Sequence, residues 1–229
     1  MNIEPVAHIY TDFPAKFGLP RQSGLINGLK GRIVFEPPFR NPESVRGLSE
    51  FSHIWLLWDF SMAHRKGFCA TACPPRLGGK THMGIWATRS PFRPNSIGLS
   101  SVRLDRVELT DEGPVLWVSG IDMTDGTPVY DIKPYIRYDC HPDAVDGYVE
   151  HTECHSLRVQ DPDGLIDALD IGDERKQALR EVLSQDPRPQ YDADDIGNRR
   201  YGFYFMDLDV RFRVRGDILE VCEIVTAVL

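Results

Sequence analysis

Apolar and polar residues alternate along this chain in short bursts of period two, separated by Gly- and Pro-rich breaks. EPVAHIY at 4–10 reads as an opening strand, and Thr11 to Leu29 as a loop punctuated by Pro14, Gly18, Pro20, Gly24 and Gly28. GRIVFE at 31–36 is a second strand ended by Pro37 and Pro38, and Ser44 to Phe51 fits a short helical turn. IWLLWDF at 54–60 is an unbroken apolar run of strand length, which predicts a buried strand. Residues 61–82, with CATACPPRLGGK, read as loop, and HMGIWAT at 82–88 as a strand. From Gly98 onwards Val102, Leu104 and Val107 alternate with Arg103, Asp105 and Arg106, and the one irregularity predicts a bulge. PVLWVSGID at 114–122 follows a turn, and residues 121–135 then read as a Pro-stiffened polar loop.

Between residues 140 and 164 the composition shifts to Asp, His, Pro and Gly, as in a linker. DERKQALREVLS at 173–184 is the clearest helix. Leu179, Val182 and Leu183 share a face, Asp173 can cap its start, and Pro187 and Pro189 stop it. Leu208, Val210, Phe212 and Val214 then alternate with Asp209, Arg211, Arg213 and Arg215, and ILEVCEIVTAV pairs back after an Arg-Gly-Asp turn. The row of arginines is one face of a strand, either solvated or available to RNA phosphates. About six short strands joined by such turns predict a mainly β fold, an all-β barrel or sandwich over residues 1–146. A small α+β domain is expected over residues 147–229. No βαβ alternation and no GxGxxG occurs, so a Rossmann fold is unsupported.

Composition narrows the class. Hydrophobic content of 41% and charged content of 26% are those of a soluble globular protein. No run of eighteen apolar residues occurs and MNIEPVAHIY is no signal peptide, so a cytoplasmic protein without a membrane partner is expected. Five cysteines without a framework pattern fit a reducing compartment. Cys69, Cys73 and His64, or Cys140-His141 with Cys154-His155, lack the spacing of a zinc site, and no metal is expected. The net charge is −8, but it is uneven. Residues 147–229 hold 10 basic and 18 acidic residues, whereas residues 21–103 hold 12 basic against 4 acidic. A basic surface of that kind can meet phosphates although the whole chain is acidic.

Two stretches concentrate the candidate chemistry. GIWATRSPFRPNSIGLSS at 84–101 places Arg89 and Arg93 on a segment that Pro91 and Pro94 keep out of a helix. IDMTDGTPVYDIKPY at 121–135 brings Asp122, Asp125, Asp131, Lys133 and Tyr135. The guanidinium fork suits carboxylates, phosphates and stacking on bases.

Six motifs in order resemble one family: LPRQSGL at 19–25, VRGLSEFSHIWLLW at 45–58, PPRLGGK at 74–80, ATRSPFRPNSIGLS at 87–100, DGTPVYDIKPY at 125–135 and QDPRPQY at 185–191. Together they span nearly the whole chain and are similar to the TsaA/YaeB (TrmO-like) family of tRNA methyltransferases. The resemblance implies an N-terminal β-barrel that uses S-adenosylmethionine and works as a homodimer. Its substrate would be tRNA bearing N6-threonylcarbamoyladenosine just 3′ of the anticodon, methylated on N6. The cofactor positions it implies are Pro20, Arg21, Gln22, Ser61, Met62, Arg89, Leu99, Asp122, Met123, Thr124 and Asp125. The chain departs from the family pattern at Ser96, where a second proline is usual, and at Ser61-Met62, where a His-containing polar pair is expected.

The chemistry assigns roles to these residues. Arg21 or Arg89 can grip the methionine carboxylate of the cofactor, and Asp122 or Asp125 its ribose hydroxyls. The adenine N6, conjugated to ring and carbamoyl, must shed a proton, and Asn95, Asp131 and Tyr135 are the candidate acceptors. Tyr135 can also stack on the base. Arg93 or Lys133 can meet the threonyl carboxylate. The alternative is a non-catalytic RNA- or nucleotide-binding barrel, separable by whether S-adenosylmethionine stabilises the protein. A hydrolase lacks a recognisable nucleophile–base pair.

Overall fold

The computed structural model describes residues 2–65, 67–152, 156–188 and 199–227. Cys154, His155, Pro189, Gln190 and Tyr191 lie outside the described residues. The alternating bursts become β1 (Ala7–Thr11), β2 (Lys30–Phe35) and β3 (His53–Asp59), then a short ribbon of β4 (Thr71–Ala72) with β5 (Met83–Gly84). The 14-residue β6 (Ile97–Thr110), β7 (Gly113–Ser119) and β8 (Thr127–Pro134) follow. Six of these close an antiparallel barrel in the order β1-β2-β7-β6-β3-β8, with β8 pairing back to β1. Ile9, Ile33, Ile54, Leu56, Val102, Leu116, Val118 and Val129 fill it, each at most 1% exposed. A barrel this narrow is plugged by its own side chains, so ligands are left to its rim and outer face.

Two bulges interrupt the ladders of the barrel. One lies between Leu104 and Arg106, where the alternation stumbles. The other lies in the β3–β8 pairing: Trp58 faces Val129 and Leu57 faces Asp131, so Tyr130 has no partner in β3.

The C-terminal part holds β9 (Arg158–Gln160), α1 (Asp173–Ser184), β10 (Tyr201–Phe205), β11 (Leu208–Arg215) and β12 (Ile218–Thr226). Its sheet order is β10-β11-β12-β9, with β9 parallel to β12. The apolar face of α1 buries Ala178, Leu179, Val182 and Leu183. The two parts share one buried core, in which Phe13 meets Phe205 edge-on at 5.4 Å. Full burial of each such ring contributes about 1.5–3 kcal/mol. Gly18 is required nearby, since its φ is +83° and a Cβ would lie 2.4 Å from Phe203. Arg175 on Asp12 and Lys30 between Asp105 and Glu174 fasten the rim of the contact.

Four expectations need correction. The strand expected over 82–88 shrinks to Met83–Gly84, after which Ile85–Ala87 is a 3₁₀ turn with Ile85 buried and Trp86 outside. The polar loop expected over 121–135 is half strand, because β8 begins at Thr127 and carries Asp131 and Lys133 on its outer face. The linker region contains β9. Asp173 does not cap α1. Gly172 occupies that position without a side-chain bond, and Asp173 and Glu174 instead place negative charge in the first turn.

Candidate active site

Four well-separated stretches converge on a polar network at one rim of the barrel. Trp58, inward-facing near the end of β3, donates its indole N–H to Ser100 Oγ at 3.0 Å, and the Ser100 hydroxyl donates to Asp122 Oδ1 at 2.7 Å. The backbone N–H of Ser23 also reaches Asp122, and the charge of Arg89 lies near enough to favour the carboxylate. Arg89 Nη1 in turn donates to Gln22 Oε1, whose amide donates to the Arg21 carbonyl. Burial dominates: it pushes the Asp122 carboxyl up from 3.8 to about 6, against the hydrogen bonds from Ser100 and Ser23 and the Arg89 charge. Gly98 is needed because a Cβ there would sit 2.2 Å from the Trp58 ring. Pro20 is buried and stiffens the approach to Arg21 and Gln22.

A second group occupies the outer face of β3. Leu57 is flanked by Leu99 of β6 and Asp131 of β8, and Trp55 by Ser101 and Lys133. Leu99 is 49% exposed. Tyr135 packs on Trp55 at 5.4 Å and on His53 at 6.2 Å. Lys133 Nζ pairs with Asp131 Oδ2 at 2.7 Å, so these two candidate groups partly neutralise each other. Above Leu57 on the same face stands Asp59. It accepts from His64 Nε2 at 2.7 Å and from the Tyr130 hydroxyl, whose pKa is raised by burial and by the Asp59 charge. His64 itself is exposed. The neighbouring Phe60 N–H donates to the Ser96 carbonyl, tying this turn to the Asn95 loop. Neither Asp59, His64 nor Tyr130 belongs to the sequence-derived set. The signal available was an acidic residue closing an apolar strand, with a histidine five residues on.

The other candidates spread out. Ser61 and Met62 are exposed in the 3₁₀ turn after β3, beside His64. Met123 is fully buried, so its side chain belongs to the core, and its carbonyl accepts from Thr11. Thr124 shares a hydrogen bond with Thr127 inside the 124–127 turn. Asp125 Oδ1 accepts from the Thr11 N–H, which fixes it on β1. Arg93 donates to the Ile85 and Thr88 carbonyls, so its guanidinium braces the loop. Asn95 is exposed. Arg211 and Arg213 are paired with Asp209, Glu223 and Glu220 of their own sheet.

A polar cleft of about 540 Å³ runs past Gly24, Asn27 and Lys30 to His53, Ser101 and Arg103, and none of the network residues lines it. A second cleft, of about 480 Å³, lies at Phe17, Arg200 and Tyr204; it reaches Arg211 but none of the cofactor or catalytic candidates. Residues 8–140 match the tRNA-methyltransferase O N-terminal domain and residues 168–227 the TrmO C-terminal domain. The chain belongs to the TrmO family. The tRNA (adenine(37)-N6)-methyltransferase of Escherichia coli K12 is 37% identical over 225 residues, covering 96% of each chain. A putative S-adenosylmethionine-dependent methyltransferase of Pseudomonas aeruginosa is 38% identical over 229 residues, covering 97% of each. The crystal structure of TrmO from Pseudomonas aeruginosa superposes with a TM-score of 0.76 at 33% identity, over 98% of each chain. Relatives of the TrmO family thus share both the barrel and the C-terminal domain with this chain.

Proposed function

We propose that this S-adenosylmethionine-dependent tRNA methyltransferase modifies N6 of adenosine 37 in tRNA that already carries the threonylcarbamoyl group there, and acts as a homodimer. The observation that carries the reading is the rim network. Arg89, Gln22, Ser100 and Asp122 come from separate loops and strands, yet they combine one cation, one amide and a nearly enclosed carboxylate around a single place. That donor set fits a zwitterionic nucleoside: Arg89 with Gln22 for its carboxylate, Asp122 for hydroxyls or an ammonium. Leu99, next to Ser100 on β6, offers exposed apolar contact. Bound S-adenosylmethionine supplies an electrophilic methyl group on a sulfonium.

The chain's own residues must position the base, exclude water and take the N6 proton. Against a carboxylate oxygen His64 Nε2 carries the hydrogen, which leaves the Nδ1 lone pair as proton acceptor, with Asp59 steadying the imidazolium that results. Asn95, Asp131 and Tyr135, expected from the sequence as proton acceptors, take supporting parts in this reading: hydrogen bonds to the carbamoyl group from Asn95, a hold on Lys133 from Asp131, and an aromatic wall from Tyr135. Lys133, once separated from Asp131, can meet the threonyl carboxylate. The test is methyl incorporation from labelled S-adenosylmethionine into tRNA with and without threonylcarbamoyladenosine. Transfer to the first pool alone is expected. A folded protein that labels neither pool, and gains no thermal stability from S-adenosylmethionine, would be the non-catalytic barrel.

A further inference from the structure

Residues 60–104 contain seven lysines and arginines and no aspartate or glutamate. Six of the seven belong to the excursion between β3 and β6, residues 60–96, which displays two large aromatics to solvent: Phe68 is 59% exposed and Trp86 69%. They do not belong to the barrel core. Their rings stack on each other at 6.2 Å with 25° between planes. The mount beneath them is firm. The β4–β5 ribbon pairs Thr71 with Gly84, and the Ile85 N–H donates to the Ala70 carbonyl at 2.9 Å. Ile85 is buried as an anchor, and Thr88 Oγ1 donates back to its carbonyl. Arg93 holds the same turn through the Ile85 and Thr88 carbonyls while its guanidinium lies 5.2 Å from the Trp86 ring centre. Arg65 covers Phe92 at 3.7 Å in the same excursion.

We infer that Phe68 and Trp86 form a stacking platform for unpaired bases of an RNA loop, with the surrounding cations meeting the phosphates. The inference rests on the proposed tRNA substrate and names the part of the chain that holds it. Exposed flat aromatics on a stiff support bind splayed bases, because every base has a π-face, and a region without carboxylates does not repel the backbone. The platform sits on the chain between the Ser61–His64 turn and Arg89, so a loop docked there presents its neighbouring base to the site. On this view Arg93 is a positioning residue that holds the Trp86 ring in place.

The test is binding of an anticodon stem–loop RNA, with a fully paired duplex of equal length as control. Phe68→Ala and Trp86→Ala are each expected to weaken stem–loop binding about 10-fold, and together about 100-fold. Duplex binding should change little. Trp86→Phe should retain most of the affinity while removing most of the fluorescence quenching that stacking on Trp86 produces. Stabilisation by S-adenosylmethionine should persist in all variants, which shows that they fold. Wild-type stem–loop affinity in the double variant overturns the platform. So does a changed sedimentation coefficient, which would assign the aromatics to contact between copies, or loss of S-adenosylmethionine binding, which would assign them to the cofactor. Stem–loop binding that depends on both aromatics without any methyl transfer supports the platform and sinks the proposed reaction instead.

Discussion

Replacing Asp122 by asparagine removes a titrating group whose pKa rises from 3.8 to about 6 on folding. The folded chain therefore holds this proton more tightly than the unfolded one. Stability from this group is fully present below pH 3.8, declines by about 1.36 kcal/mol per pH unit up to about pH 6, and is level above. The shift of about two units corresponds to roughly 3 kcal/mol, an upper bound because part of the side chain still meets solvent. The substituted amide would keep an oxygen for the Ser100 hydroxyl but turn an N–H towards another donor, a cost of about 1–3 kcal/mol that does not vary with pH. The slope carries the test. Urea unfolding of wild type and Asp122→Asn between pH 4 and 8 should give a stability difference, wild type minus variant, that falls steadily to about pH 6 and then flattens. Other titrating groups cancel in that difference. A difference that is constant across the range would refute the buried, protonatable carboxylate and with it the rim network as drawn.

Three further outcomes follow from the same geometry. Arg89→Ala is expected to weaken S-adenosylmethionine binding about 10- to 100-fold by calorimetry, the loss of a charge-assisted bond, while Lys133→Ala should raise KM for tRNA more than for the cofactor. His64→Ala should lower kcat about 10²- to 10⁴-fold with cofactor affinity unchanged, and a variant with wild-type kcat would remove His64 from the reaction. Gly98→Ala drives a Cβ into the Trp58 ring, so a loss of about 1–3 kcal/mol and a lower Tm are expected, together with weaker cofactor binding as the Trp58–Ser100–Asp122 chain is displaced.

The barrel strands were legible because burial on one face imposes a period of two, and α1 because its apolar positions recur at helical spacing. β8 escaped notice for a physical reason: its outer face carries Tyr130, Asp131 and Lys133, and Pro128 and Pro134 sit inside it, so it reads as a loop. HMGIWAT misled in the opposite sense, since Trp86 is apolar but faces water. Among the site residues, Arg89, Gln22 and Asp122 were identifiable from their motifs. Their partner Ser100 was not, because the bonds that join Trp58, Ser100 and Asp122 span 42 and 22 residues of sequence. Arg93 shows the limit of reading a residue by its chemistry alone. Its Nη1 is spent on two backbone carbonyls, which no spacing rule foretells.

The missing partner of Tyr130 in the β3–β8 ladder acts as a phase slip. A regular strand must send consecutive side chains to opposite sides, yet here Tyr130 and Asp131 both emerge on the outside, one towards Asp59 and the other towards Lys133. The slip also returns Ile132 to the inside, opposite buried Leu56. The one extra residue between Val129 and Ile132 is thus what brings the phenol beside Asp59. Deleting Tyr130 would restore ideal pairing and leave Val129, Asp131 and Ile132 on their present sides, but it would strip Asp59 of that hydroxyl. The most regular version of this strand is the one without its phenol.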